Sequence, residues 1–139
     1  MSDFIAYHSV EKMERDYQPT EQFHFFSRKP DSFLRSAIGS RVWVVVGWRD
    51  GRRTLYRLVG VFTPSEVRPE SDGFGIIGTG TPFHPPFEVS ALPWFSDLLR
   101  EQSNFSFGFS RIRGESIVAE LERLLAERER KADASCNGK

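Results

Sequence analysis

This sequence of 139 residues has a single cysteine, no long apolar run and no excess of one charge. The single cysteine, Cys136, allows neither a disulfide within the chain nor a cysteine-based zinc site. The longest apolar run, residues 42–48, has the length of a strand and falls far short of the ~20 residues that span a bilayer. The first residues also lack the basic start and apolar core of a signal peptide. We therefore expect a cytoplasmic protein without a membrane partner.

Motifs for catalysis, metal binding and cofactor binding are also missing. The three histidines, His8, His24 and His84, do not have the close spacing of a metal-binding motif, and no GxSxG nucleophile elbow occurs. The glycine-rich run 73–80 contains no P-loop lysine and is followed by prolines, so strand and turn glycines explain it better. The sequence thus predicts no catalytic residue, no metal site and no cofactor.

Apolar periodicity and turn residues divide the chain into six strands and three helices. A charged stretch at 10–18 is left open as a short helix or a loop, and residues 64–72 are predicted to be a loop. Prolines in 79–93 favour an edge strand or a surface loop. The predicted strands are 3–9, 23–26, 41–48, 54–63, 74–78 and 104–112, and the predicted helices are 31–38, 94–102 and 115–130.

The order of these elements predicts the fold class. Few strand–helix–strand units occur, which argues against a doubly wound parallel sheet. We expect an α+β protein: a small, mostly antiparallel β-barrel with peripheral helices and a C-terminal amphipathic helix. Residues 1–130 would form this single domain, and residues 131–139 a polar, flexible tail.

Three local patterns carry detail that the structure can test. The continuous apolarity of 41–48 predicts a strand covered on both faces, and Asp50-Gly51 predicts a hairpin after it. Asp31 is placed to cap a helix that Gly39 ends. Alternation in 104–112 predicts that three phenylalanines, Phe105, Phe107 and Phe109, share one face of a half-buried strand.

Basic residues concentrate in the middle of the chain, although 19 basic and 19 acidic residues balance overall. Residues 22–65 hold eight basic and two acidic residues, a local charge of +6. The predicted hairpin tip carries three arginines, whose planar forks suit phosphate oxygens. We predict phosphate contacts from Arg28, Lys29, Arg49, Arg52 and Arg53. The alternative is an ordinary charged turn in solvent.

Aromatic residues are abundant, with 13 Phe, 3 Tyr and 3 Trp. An unpaired base stacks on such rings, so Tyr7, Trp43 and Trp48 are candidate walls of a base pocket, with His8 and Ser9 as hydrogen-bonding partners for a base edge. Because Trp43 and Trp48 are an odd number of residues apart, they face opposite sides of a regular strand, and at most one lines a pocket. For each ring, a place in the core is the alternative.

The opening strand, residues 4–11 (FIAYHSVE), resembles the first strand of EVE domains in the PUA-like superfamily. That family's strand ends in a Ser-Glu-Pro-type turn at the ligand pocket; Ser9 matches the serine, whereas Val10 precedes Glu11 and the proline is missing. Residues 58–62 (LVGVF) are similar to the family's strand of aliphatic–Val-Gly–aliphatic type. The resemblance covers roughly residues 3–112. It implies a pseudo-barrel that flips a modified base into an aromatic pocket.

The leading hypothesis is therefore a non-enzymatic reader of nucleic acid, DNA rather than RNA, that recognises a modified base such as methylated cytosine. In bacteria the resemblance implies a restriction system in which a nuclease is fused to the reader or acts with it, since this chain has no nuclease motif. Two alternatives stay open. One is a protein-interaction module that uses residues 82–94 and the C-terminal helix, and the other is a small hydrolase or nuclease that uses His8 or His24. Oligomeric state is left open.

Overall fold

The computed structural model describes residues 2–10, 20–106 and 108–137, with side chains as far as Lys131. The segment predicted as a short helix or loop lies, apart from Val10, outside the described residues. The strands are β1 Asp3–Ser9, β2 Gln22–Ser27, β3 Arg41–Asp50, β4 Arg53–Glu70, β5 Gly73–Glu88 and β6 Phe109–Arg111. The helices are α1 Asp31–Arg35, α2 Pro93–Glu101 and α3 Glu115–Asn137.

All six described strands belong to one sheet in the order β2-β5-β4-β3-β1-β6. Four of the five pairings between described strands are antiparallel, and only β1 runs parallel to its neighbour β3. The sheet curls into a half-barrel whose edges are β2 and β6. The predicted α+β class is therefore confirmed, and the predicted barrel is open along the seam between these two edges.

Side chains alternate along β3 between two hydrophobic cores. Val42, Val44 and Val46 belong to the first core, which α1 covers with Leu34. Trp43 and Val45 belong to the second core, which is covered by four side chains of α2 and α3: Phe95, Leu98, Ile117 and Leu121. The prediction that this strand is covered on both faces is confirmed.

The prolines of β4 and β5 are accommodated within strands, which corrects the loop predicted at 64–72 and agrees with the edge-strand alternative for the stretch after residue 79. Residues 64–72 are not a loop, because β4 runs on to Glu70 and β5 begins at Gly73. The stretch after residue 79 is also strand as far as Glu88. Its prolines lie where the pairing slips: Gly60 is opposite Pro82, but Leu58 is opposite Phe87. Since proline donates no ladder hydrogen bond, such an irregularity is where a sheet tolerates it.

The predicted strand 104–112 is mostly a turn. Only Phe109–Arg111 is strand, and Ser103, Asn104 and Phe105 all have positive φ, at 50°, 55° and 62°. The turn reverses the expected alternation, so Phe105 lies in the second core and Phe109 in the first. The prediction of a common face for these two rings is therefore wrong, and Phe107 lies outside the described residues.

Helix ends differ from the predicted ones. Pro30, not Asp31, caps α1, and Asp31 instead accepts hydrogen bonds from Arg35 one turn later at 2.9 Å. The helix ends at Arg35 and not at Ile38 as predicted, and Gly39, with φ +85°, lies in the turn that follows it. The C-terminal helix continues beyond Arg130 to Asn137, into residues predicted to be a flexible tail. No helix in the described part of the chain is long and apolar enough to cross a membrane.

Candidate nucleic-acid interface

A cleft of about 340 Å³ opens at the seam of the half-barrel, between β2 and the carboxyl end of β1. Curling of the sheet brings its two edges together here, with the rings of Phe25 on β2 and Phe109 on β6 at 6.3 Å. The volume is within the ~300–1,000 Å³ of small-molecule pockets. The described lining consists of Tyr7, His8, Ser9, Phe25, Phe26, Ser27, Arg28, Lys29, Phe105, Ser106 and Gly108.

The carboxyl end of β1 opens into the cleft because its edge strand is short. β6 pairs with β1 over Phe4–Ala6, and the next amide of β1, that of Tyr7, donates to the Gly108 carbonyl at 2.7 Å. On its other side β1 remains paired with β3 as far as Ser9. The three predicted pocket residues Tyr7, His8 and Ser9 thus lie on β1 beyond its pairing with β6 and line the cleft.

Tyr7 forms a fixed wall of the cleft. Its ring stacks on Phe105, with centroids 4.7 Å apart and planes at 11°, and the Tyr56 ring lies 6.1 Å away. A Cβ at Gly47 would overlap the Tyr7 hydroxyl and approach two of its ring carbons to 2.8 Å. Glycine at position 47 therefore makes room for the tyrosine, and the stack on Phe105 holds the ring before any ligand arrives.

His8 supplies a buried polar group from the opposite face of β1, since the Tyr7 ring packs against the second core. It is 6% exposed and alternates with Tyr7 and Ser9 along β1, so it lies on the first-core face of the strand, as Phe25 does. A buried imidazole beside apolar rings can donate or accept one hydrogen bond toward a ligand, depending on its tautomer. The cleft thus offers aromatic surface together with a polar group, the combination that binds a flat heterocycle.

The rim of the cleft is cationic. Arg28 is exposed, packs over the Phe26 ring at 5.5 Å and donates to Asp72 at 3.1 and 3.2 Å. Lys29 is half-buried, and its backbone amide donates to the Ser27 hydroxyl at 3.1 Å. Neither aspartate nor glutamate occurs among the described lining residues. With Asp72 set against Arg28 and Lys29, the rim keeps a net positive charge, which favours an anionic group.

The two tryptophans predicted as pocket walls lie elsewhere. Trp43 is 0% exposed in the second core, and its indole Nε1 donates to the carboxylate of Asp3 at 2.8 Å. Trp48 is half-buried beneath the guanidinium of Arg57, 4.3 Å from the ring centroid. Neither contributes to the cleft lining, so they are not walls of this cleft, whereas Tyr7, His8 and Ser9 line it.

The hairpin between β3 and β4 is confirmed, with Gly51 at φ +66°. Its arginines, Arg49, Arg52 and Arg53, are exposed and do not line the cleft. Since Ser9 is opposite Gly47 in the parallel pairing, the hairpin lies at the same end of the sheet as the cleft. At ~3.3 Å per residue, its tip extends roughly 13 Å beyond Ser9. The five predicted phosphate contacts therefore form two groups, one at the cleft and one at the tip.

Sequence reasoning missed half of the cleft, namely its lining from Phe25, Phe26 and the turn after α2. The turn was missed because the alternating phenylalanines resemble a strand. The sequence did contain a sign of the turn, because serine, asparagine and glycine are common where the backbone turns. They occur here at Ser103, Asn104 and Gly108, and Gly108 has a φ of +73°.

The histidines do not form a joint acid–base site. His24 is exposed on β2 and its Nε2 lies 2.6 Å from Glu70, whereas His8 lies in the cleft. Within the described ranges, no group of three or more His, Cys, Asp or Glu side chains is arranged to hold a metal ion.

A second groove, of about 610 Å³, adjoins the cleft and shares Lys29 with it. Its described lining is Lys29, Pro30, Phe33, Phe109, Ser110, Arg111 and Arg113. The guanidinium of Arg111 lies over the Phe4 and Phe33 rings, at 5.4 and 5.9 Å from their centroids. The cleft and the second groove thus meet at Lys29, and aromatic rings and cations line both.

The partly buried phenol of Tyr56, whose ring is 6.1 Å from that of Tyr7, should make the stability of the protein depend on pH. Burial raises its pKa above the ordinary value of 10.0, because burial disfavours the phenolate. The unfolded chain thus loses this proton at a lower pH than the folded one. We expect a stabilising contribution that is complete below pH 10 and declines as the pH rises through the folded-state pKa. Denaturant titrations at pH 8–11 should show a smaller decline for Tyr56→Phe than for the parent, and parallel declines would contradict the assignment.

An aromatic cleft, a cationic rim and an arginine-rich tip thus lie at one end of the sheet. Searches of protein-family models, of curated proteins and of solved structures find no match to this chain.

Proposed function

We propose that this domain is a reader of nucleic acid that holds an unstacked, modified base in the cleft at the seam of the half-barrel. One observation carries the proposal: Tyr7, His8 and Ser9 line the same cleft as Arg28 and Lys29, without a carboxylate among its described lining residues. An aromatic wall, a buried polar group and a cationic rim are the three elements that bind a base together with its phosphate. The resemblance of the first strand to EVE domains supports the same proposal.

Each group has a defined task in this proposal. Tyr7 stacks on the base, a contact of about 1–3 kcal/mol that offsets much of the cost of unstacking it. His8 and Ser9 hydrogen-bond to its edge, while Arg28 and Lys29 neutralise the nearest phosphates. The tip arginines reach phosphates roughly 13 Å farther along the strand direction, about two nucleotides away. Their contacts would position the protein without selecting sequence.

The proposed partner is DNA. A reader of this kind supplies recognition alone, and a nuclease fused to it or acting with it would supply cleavage. The domain would then confer modification dependence on that nuclease.

The first test is a titration against plain, 5-methylcytosine and 5-hydroxymethylcytosine duplexes and single-stranded RNA at two salt concentrations. We expect at least a tenfold preference, ~1.4 kcal/mol, for one modified duplex. Tyr7→Leu should reduce that preference, since it removes the stacking surface. Arg52→Gln should weaken all DNA ligands alike and reduce the slope of log affinity against log salt by ~0.9, because it removes one phosphate contact.

Arg130→Gln is the matched control for Arg52→Gln, because it removes the same charge from an exposed position on α3. It should leave affinity and salt slope unchanged. Salt-dependent binding without discrimination would refute the modified-base reader and leave only a basic surface. An absence of binding to every ligand would refute the nucleic-acid proposal and favour the protein-interaction module of residues 82–94 and α3.

A further inference from the structure

We propose that the second groove is a subsite for the neighbouring nucleotide, so that the ligand is a single-stranded segment of at least two nucleotides. This inference rests on the proposed function, because the base in the cleft sets the starting point of the strand. It names the substrate class more closely: a strand locally separated from its complement, rather than an isolated base or an intact duplex.

Continuity of the two sites is the first argument. Lys29 lines both, and Phe109 at the floor of the second groove lies 6.3 Å from Phe25, which lines the cleft. A strand whose base occupies the cleft therefore has its next phosphate at Lys29, where the two sites meet. The phosphate is the obligatory link between nucleotides, so a cation at the junction is what a continuous site requires.

Charge is the second argument. The second groove has three cationic residues, Lys29, Arg111 and Arg113, and no carboxylate among its described lining residues. The Arg113 side chain is exposed, whereas its backbone amide is held by Glu101 at 2.9 Å. Arg111 is held in place over two phenylalanine rings. Arg111 is thus held over aromatic rings, and Arg113 is anchored at its backbone with its exposed guanidinium available to a phosphate.

Aromatic surface is the third argument. Phe33 is half-buried and lines the groove, and its ring is edge-on to Phe4 and Phe109, at 6.0 and 6.2 Å between centroids. Packing from these two rings fixes the orientation of Phe33. A fixed ring beside cations is the arrangement on which successive bases of a single strand stack. An acidic peptide would use the cations but would leave this ring without a role.

The test measures binding of DNA probes of one, three and nine nucleotides, each with 5-methylcytosine at its centre, to the full chain. The parent protein should bind the trinucleotide at least tenfold more tightly than the mononucleotide. Arg113→Gln should reduce affinity for the nine-nucleotide probe about fivefold at 0.1 M salt and flatten its salt slope by ~0.7, the value for one phosphate on a single strand. Its affinity for the mononucleotide should be unchanged, and Arg130→Gln should change none of these values.

The outcomes separate this inference from the function on which it rests. Equal affinities of the parent for one and three nucleotides, with modified-base preference retained, would overturn the subsite and leave the reader intact. A length effect that Arg113→Gln and Phe33→Leu both leave unchanged would also overturn the subsite. No binding of any probe, including the modified duplex, would overturn both. Circular dichroism of the variants identifies any loss of affinity that comes from unfolding.

Discussion

Replacement of Trp43 by alanine is expected to lower the free energy of unfolding by about 3–5 kcal/mol, the range for a fully buried Trp or Phe. The side chain is 0% exposed and packs within the second core. The substitution also removes the indole donor from Asp3, which is 7% exposed and accepts from Arg41 as well, at 3.0 Å. Chemical denaturation followed by circular dichroism measures this loss.

Trp43→Phe keeps the experiment informative if the alanine variant does not fold. It retains most of the buried ring but leaves the Asp3 oxygen without its indole donor, which costs about 1–3 kcal/mol. Trp48→Ala is the matched control, because Trp48 lies on the same strand but is only half-buried beneath Arg57. It should destabilise the protein less than Trp43→Ala. Equal losses for both alanine variants would contradict the assignment of Trp43 alone to the core.

Gly47→Ala is expected to cost about 1–3 kcal/mol of stability through overpacking and to abolish the modified-base preference. The new methyl group would overlap the Tyr7 hydroxyl and approach its ring to 2.8 Å. Tyr7 would have to leave its stack on Phe105, and the wall of the proposed base site would be lost with it. Denaturation and the duplex titration measure the two effects.

A double-mutant cycle tests whether Tyr7 is the cause. In a Tyr7→Ala background the obstacle is gone, so Gly47→Ala should cost little further stability. The coupling energy between the two positions should reach about 1–3 kcal/mol. Additive losses would show that position 47 acts through the sheet itself and not through the cleft wall.

Local sequence predicted most of the strands and helices because local rules govern them. The apolar run in β3 and the Asp50-Gly51 turn are both confirmed. The wrong predictions occur where one local sequence pattern is compatible with two different structures. Prolines indicated a loop at 64–72, but β4 continues through Pro64 and Pro69, with a register shift between Pro64 and Glu66. The alternating phenylalanines at 105 and 109 indicated one strand face, but consecutive residues with positive φ send them into separate cores.

The candidate site shows the same division. Tyr7, His8 and Ser9 could be named from one strand, and Arg28 and Lys29 from the local charge, because both signals are contiguous in sequence. Their arrival in one cleft depends on the curl of the sheet, which no local pattern records. Local sequence also could not decide whether Tyr7 or Trp43 lines a pocket, since both are aromatic residues on apolar strands.

By itself the sequence determined the α+β class, the covered central strand, the arginine-bearing hairpin and the lack of a disulfide or a recognisable catalytic motif. These follow from composition, periodicity and turn chemistry, which act over a few residues. Tertiary structure alone decided that the barrel stays open, that the seam forms the cleft, and that Trp43 is core whereas Tyr7 is wall. The physical reason is that burial and proximity depend on which distant strands become neighbours, and strand pairing is a property of the whole chain.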